Sequence, residues 1–166
     1  MAEPARKQGR PSDFRAVARK ARPAFGVIGA NWGDGMYSST TRDINVTVRP
    51  LYLEDQSEPD EGHFIWAYQV VIGNEGGDAV QLMRRHWVIT DANGAMRDVE
   101  GTGVVGVQPV LHPGEVFEYT SGCPLTTPSG FMRGTYTMRW VETGEVFQVE
   151  IPAFSLDSPH GDQSVH

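Results

Sequence analysis

The chain has 166 residues, a length that suits one domain with terminal tails. Its 19 glycines and 11 prolines are many for a helical protein and are typical of short strands joined by tight turns. The formal net charge of −7 argues against nucleic acid as the main partner of the domain, because an acidic body attracts no phosphate backbone without a local basic patch.

The first 35 residues differ in charge from the rest of the chain. Residues 1–35 hold seven basic and three acidic side chains, whereas the remainder holds seven arginines against eighteen acidic side chains. Since the segment 1–35 has no sustained apolar period, we predict a disordered basic extension there. Such an extension can act as a basic arm toward nucleic acid or another anionic surface.

From Thr41 onward the sequence alternates as strands do. Pro50 follows an alternating apolar run and predicts an edge position or a bulge in the first strand. The strongest strand spans 63–74, because five alternate apolar residues share one face: Phe64, Trp66, Tyr68, Val70 and Ile72. Apolar residues also occupy its other face, so we predict that this strand is central in its sheet.

The second half of the chain continues the strand pattern. Segments 80–90 and 95–100 flank the hairpin signal Asn93-Gly94, and the Gly- and Pro-rich crossing 101–114 leads to a strand at 115–119. The uncharged segment that starts at Tyr119 is predicted to be a long turn region. A last hairpin of 132–141 and 145–154 and a flexible tail of 157–166 complete the chain.

These seven or eight short strands predict an all-β fold. Their spacing is typical of a two-layer β-sandwich, and residues 36–156 suffice for one core between two sheets. No segment carries a helical apolar stripe longer than about ten residues. The pattern therefore disfavours an α/β fold, which requires such helices.

The cysteine count and the uncharged segments bear on location. Cys123 is the single cysteine, so no disulfide can form within the chain, and we expect a reducing, cytoplasmic compartment. The longest uncharged windows, 101–114 and 119–132, contain prolines and are shorter than the ~20 apolar residues of a membrane helix. No secretory signal pattern is present.

Three glycines form a nucleotide-like motif. Gly101, Gly103 and Gly106 match G-x-G-x-x-G, whose phosphate chemistry requires a helix directly behind the glycines. Pro109 and Pro113 follow instead, so a glycine-rich strand crossing is preferred. A nucleotide or polyphosphate loop, helped by Arg84 or Arg133, stays as the alternative.

The titratable residues form no predicted catalytic or metal site. The histidines fall on different segments, and none belongs to the tight ligand pairs of a structural zinc site. The acidic loop 54–63, which ends at His63, can hold a divalent ion weakly as a sensor, although a solvated loop is the simpler interpretation. Cys123 has no adjacent base and is predicted to be buried. We therefore expect no enzyme, no cofactor and no metal centre.

Two adjacent arginines suggest a contact surface. Arg84 and Arg85 point to opposite faces of one predicted strand, and Trp87 follows them. Arginine with an aromatic side chain is typical of binding hot spots, so Arg84, Arg85, Trp87 and Arg133 are candidate interaction residues. The preferred alternative is core aromatics with a structural ion pair.

The domain resembles the bacterial ApaG family. The longest matching segments are 85–94, with the sequence RHWVITDANG, and 117–130, with the sequence FEYTSGCPLTTPSG. Shorter matches in the same order are 37–42, 64–68, 74–76, 101–106, 108–111, 113–115, 132–136 and 149–154. Together they cover roughly residues 36–156.

The resemblance implies a fold and a class of function. It implies a fibronectin-type-III-like or immunoglobulin-like β-sandwich and an association with cobalt resistance and magnesium efflux, which would be indirect. Related domains occur in eukaryotic F-box and polymerase-interacting proteins, which implies an interaction module with an unknown protein partner. Neighbouring genes for diadenosine-tetraphosphate hydrolysis motivate the nucleotide alternative. No enzymatic activity is established for the family.

Two expectations concern the termini and the edges. Members of the family typically begin near the position of Met36, so we hypothesise that Met36 is the natural start and that 1–35 comes from an upstream start assignment. An exposed edge strand can pair two copies, which allows a homodimer.

Overall fold

The computed structural model describes residues 19–23 and 35–161, and for Arg19–Pro23 the backbone alone. These residues form ten strands and two short 3-10 turns, Glu54–Gln56 and Pro59–Glu61. The strands are β1 Arg19–Pro23, β2 Tyr37–Thr41, β3 Ile44–Tyr52, β4 Phe64–Asn74, β5 Val80–Asp91, β6 Met96–Thr102, β7 Val110–Leu111, β8 Glu115–Leu125, β9 Ser129–Trp140 and β10 Val146–Asp157.

The strands build two antiparallel sheets that pack face to face, and the predicted all-β sandwich is confirmed. The first sheet has the order β1-β8-β4-β3-β2 and the second the order β10-β9-β5-β6, with β7 paired to β5. The inward residues of β4 are buried, from Phe64 at 6% exposure to Ile72 at 0%. β4 lies between β8 and β3, so its predicted central position is also confirmed.

The main difference from the sequence prediction lies in β8 and β9. The predicted long turn region from Tyr119 is instead the second half of β8 and the start of β9, joined by Thr126, Thr127 and Pro128. β8 pairs with β4 along Phe64–Gly73, from Leu125 to Val116, without a register shift. Main-chain pairing on this scale outweighs the low strand propensity of glycine, serine and proline.

The first strands of the domain correct two further expectations. β2 was not predicted; it pairs with β3 from Tyr37 opposite Val48 to Thr41 opposite Ile44. Pro50 makes no bulge, because the pairing of β3 with β4 continues through it unshifted. Pro50 does lie at an edge as predicted, since β2 pairs only as far as Val48.

The terminal segments also differ from the predictions. Arg19–Pro23, within the predicted disordered extension, forms β1; the rest of 1–34 lies outside the described residues. Within the predicted flexible tail, the indole nitrogen of Trp66 donates to the Asp157 carbonyl at 2.9 Å, and Ser158 is buried. Residues 162–166 lie outside the described part. A search of the described residues finds no helix with the length and apolarity needed to span a membrane.

Candidate functional site

The two long sides of the sandwich are built differently. On one side β2 is joined to β10: the hydroxyl of Ser39 donates to the Glu150 carbonyl at 3.0 Å, and the Glu150 amide donates to the Thr41 hydroxyl at 3.2 Å. On the other side β6 ends the second sheet and lies across from β8, which the described β1 flanks only at residues 115–118. In the described part of the chain no main-chain hydrogen bond connects β6 with β8. This second side is therefore open between the sheets.

A groove of about 550 Å³ lies on this open side. The first sheet contributes Phe64, Ile65 and Leu125, and the second contributes Ile89 and Met96. Phe64, Ile89 and Leu125 belong to the hydrophobic core, so the floor of the groove is apolar. Met96 is 60% exposed at its rim. The groove thus gives external molecules access to apolar surface.

Arg97 supplies a positive charge to the groove. Its pairing opposite Ile89 places it on the inner face of the edge strand β6. Its guanidinium group lies near the thiol of Cys123 on β8, close enough to lower the pKa of that thiol. Among the described residues no carboxylate forms an ion pair with Arg97. The charge is therefore available to an acidic group that enters the groove.

The cysteine beside Arg97 is not a nucleophile at neutral pH. Cys123 is 1% exposed, which confirms the predicted buried position. Burial raises the pKa of its thiol to about 11, and the nearby Arg97 guanidinium lowers it by less. The thiol therefore stays protonated, and only a thiolate attacks as a nucleophile.

The polar residues at the ends of the groove make local contacts. Asp91 accepts hydrogen bonds from the amides of Asn93 at 2.9 Å and Ala95 at 3.0 Å, which fixes the β5–β6 turn. His63 lies 4.0 Å from the carboxylate of Glu58. Across residues 19–23 and 35–161, no three histidine, cysteine or acidic side chains cluster as a metal site would require.

The four candidate interaction residues do not form one surface. Trp87 is 2% exposed and lies in the core. Arg85 also points inward and donates to the carbonyls of Thr102 at 3.3 Å and Gly103 at 2.9 Å, rather than to a carboxylate. Arg84 and Arg133 are exposed.

The glycine motif forms a tight turn that main-chain hydrogen bonds close. The amide of Gly103 donates to the Met83 carbonyl at 2.8 Å, and Val104 and Val107 bond each other's main chain. A side chain on Gly101 would approach the Arg85 guanidinium to 2.7 Å. The chain then continues into β7 instead of a helix. Backbone geometry therefore accounts for Gly103, and close packing of the Arg85 guanidinium accounts for Gly101.

A substitution pair tests this structural role. Gly106→Ala should cost about 1–2 kcal/mol of unfolding free energy, the penalty of a left-handed residue, because φ is +80° and the space is open. Gly103→Ala should cost about 3 kcal/mol or more, since φ is +64° and the new methyl would overlap the Val107 carbonyl. Urea unfolding measures both variants. Equal costs would contradict the overlap.

Sequence reasoning missed the groove altogether. Its walls, Ile89 to Arg97 on one side and Pro124 to Leu125 on the other, lie far apart in the chain and meet only through sheet packing. Arg97 carries no local sequence signal that separates it from other surface arginines. Arg97 differs from them only because the alternation of side chains along β6 places it on the inward face. The predicted strand 95–100 already implied that alternation.

Comparisons with known proteins agree with the sequence resemblance. Residues 54–140 match the ApaG domain family. The chain is 65% identical over 125 residues to Protein ApaG of Paramagnetospirillum magneticum, covering 75% of this chain and 95% of the relative. It is 59% identical over 131 residues to Protein ApaG of Parvibaculum lavamentivorans, covering 79% of this chain and 100% of the relative.

A solved structure shares the fold. The crystal structure of a Bordetella pertussis protein designated ApaA superposes with a TM-score of 0.69 at 48% identity, over 71% of this chain and 95% of that chain. A sandwich of this type therefore folds in a chain much shorter than the present one.

Proposed function

Because the chain belongs to the ApaG family, we propose that it is a non-enzymatic binding module whose contact site is the groove between β6 and β8. The observation that carries the proposal is the asymmetry of the sandwich, which is joined at β2–β10 and open at β6–β8. At this opening Met96 is 60% exposed, and the groove leads from it toward the core side chains Phe64, Ile89 and Leu125.

The groove chemistry indicates the kind of partner. An apolar floor around Ile89 and Leu125 favours burial of a hydrophobic side chain. Arg97, which has no carboxylate partner among the described residues, favours an acidic group beside it. The module therefore binds a protein segment in which an apolar residue neighbours an acidic one.

The same site supports a role in metal homeostasis through that partner. The family resemblance links such domains to cobalt resistance and magnesium efflux, and the described residues offer no metal cluster of their own. The partner, rather than this chain, would handle the ion.

Photo-crosslinking in cells tests the proposal. A benzophenone amino acid in place of Met96, at the groove rim, should crosslink to a protein segment that contains an acidic residue. The same probe at Val146, which is 56% exposed on the β9–β10 hairpin, should not. Arg97→Glu should abolish the Met96 crosslink and raise cobalt sensitivity to that of a deletion strain.

The matched control is Arg84→Glu, another exposed arginine of the second sheet that lies outside the groove. It should leave both the crosslink and the cobalt response unchanged. Equal crosslinking at both probe positions, or the same loss with either charge reversal, would refute the groove as the contact site.

A further inference from the structure

β6 lies at the end of the second sheet, beside the groove. Among the described strands it pairs with β5 alone. Arg97 points inward opposite Ile89, yet Arg97 is exposed whereas Ile89 is only 6% exposed. An inward side chain keeps such exposure beside an open strand edge, because a strand paired on both sides has its inward side chains covered. The side of β6 that points away from β5 therefore presents main-chain donors and acceptors to an added strand.

The outward face of β6 carries two carboxylates. Asp98 and Glu100 lie two residues apart, so their side chains point the same way, and they are 65% and 62% exposed. His86 on β5 stands between them, with its Nε2 2.8 Å from Asp98 and its Nδ1 3.7 Å from Glu100. Within the part of the chain that the structure describes, neither carboxylate forms an ion pair with lysine or arginine. The outward face therefore favours basic residues on an added strand.

The inward face of β6 carries a positive charge and an apolar side chain. Arg97 lines the groove, and Val99 packs against the core. An acidic residue opposite Arg97 and an apolar residue opposite Val99 would complete this face, because such facing pairs stabilise antiparallel strands. An antiparallel strand that satisfies both faces reads basic, apolar, basic, acidic from its amino end.

The same charges disfavour a second copy of β6 as the occupant. Two copies that pair antiparallel with matched faces place one residue opposite itself. When that residue is Arg97, Asp98 or Glu100, two like charges face each other. When it is Val99, Asp98 faces Glu100 twice. Like charges at facing positions destabilise a sheet, so the occupant is a segment of different sequence.

We propose that β6 is a strand-addition site for a partner segment with the order basic, apolar, basic, acidic, which extends the second sheet across the open side of the sandwich. The acidic side chain of that segment enters the groove at Arg97. Main-chain hydrogen bonds to β6 supply the affinity, and the facing side chains supply the specificity. This inference rests on the proposed function, because it states how a partner occupies the groove.

Nuclear magnetic resonance of the ¹⁵N-labelled full chain tests the proposal with the designed peptide Thr-Lys-Val-Lys-Glu-Val-Thr. The peptide should cause saturable shift changes at the amides of β6 and should slow hydrogen exchange at those that point away from β5. The peptide Thr-Glu-Val-Glu-Lys-Val-Thr, in which the charges are exchanged, should bind much more weakly. No saturable change at β6, or equal binding of the two peptides, would overturn the proposal.

Two N-methylated peptides separate strand addition from docking through side chains alone. Alternate amides of an added strand point toward β6, and the others point away from it. N-methylation of the first set removes the main-chain donors and should abolish binding, whereas N-methylation of the second set should leave binding largely intact. Strand addition is wrong if both methylated peptides bind or if neither does.

Variants of β6 test the charge pattern. Asp98→Asn with Glu100→Gln should weaken binding of the first peptide about fivefold, because two facing opposite-charge pairs are lost. Asp98→Lys with Glu100→Lys should exchange the preference, so that the second peptide binds better than the first. The matched control is Glu142→Gln with Glu145→Gln, two exposed carboxylates of the β9–β10 turn, which should leave binding unchanged. A thermal melt of each variant shows that it is folded.

The cellular crosslink at Met96 distinguishes this inference from the function on which it rests. Asp98→Lys with Glu100→Lys should abolish the crosslink, as Arg97→Glu should. If the crosslink survives the double lysine variant and is lost in Arg97→Glu, the groove remains the contact site and strand addition is overturned. If it survives Arg97→Glu as well, the groove itself is not the contact site.

Discussion

Trp87→Ala should destabilise the domain by about 3–5 kcal/mol, the cost of removing a large aromatic side chain from a core. Trp87 is 2% exposed and packs edge-on against Tyr68, Tyr136 and Phe154, with ring centroids 5.3, 6.4 and 5.9 Å away. A typical domain has about 5–15 kcal/mol of stability in total, so the variant should be marginal. Urea unfolding followed by circular dichroism gives the free energy of unfolding.

Arg84→Ala is the matched control on the same strand. Its side chain is exposed, so the change should stay within about 0.5 kcal/mol of the natural protein. If Trp87→Ala is as stable as the Arg84→Ala control, the core packing described for β5 is wrong. Loss of a binding partner in Trp87→Ala would report on folding and not on a contact surface.

The sequence predicted the strands whose apolar alternation is regular. β4 was located to within one residue because its alternate apolar residues mark a single buried face. β8 and β9 were predicted too short because Thr120–Gly130 is rich in serine, threonine, glycine and proline, which mark turns when considered locally. These residues form strands because β8 pairs with β4 and β9 pairs with β5. The local sequence of one segment does not reveal such pairing.

A bulge explains why the inward arginine was not identified from the sequence. Val80 and Leu82 point into the core, so strict alternation would turn Arg84 inward. The register of β5 with β9 shifts between Leu82 and Arg84, and the inward positions become Arg85 and Trp87. A bulge adds one residue to one strand and exchanges the two faces beyond it. Predicting the groove also requires long-range information, namely which strand edges of the two sheets are not joined to each other.

Stability should fall steeply under alkaline conditions. Burial raises the pKa of Tyr68 from 10.0 to about 12, and burial also raises the pKa values of Tyr119 and Tyr136 well above 10.0. Well below pH 10.0 these phenols are protonated in both the folded and the unfolded chain, so their effect on stability is constant. As the pH rises toward about 12, the unfolded chain releases protons that the folded chain retains, and the folded state loses stability.

The size of this loss can be estimated from proton linkage. Each buried phenol costs about 1.4 kcal/mol per pH unit above its unfolded pKa, so three cost roughly 4 kcal/mol per pH unit. Over the interval from pH 10.0 to about 12 the total approaches the whole stability of a typical domain. We expect cooperative unfolding within this interval, detected by circular dichroism together with near-ultraviolet phenolate absorbance.

The Tyr119→Phe, Tyr136→Phe double variant separates this mechanism from general alkaline damage. The two hydroxyls hydrogen-bond each other in the core, so removing both leaves neither a buried donor nor a buried acceptor unpaired, and stability at neutral pH should change little. Tyr136→Phe alone should cost about 1–3 kcal/mol, because the Tyr119 hydroxyl loses its partner. With only Tyr68 remaining, the tyrosine contribution should drop to about a third, and unfolding should require a higher pH. An unchanged alkaline midpoint in the double variant would show that these phenols do not control the transition.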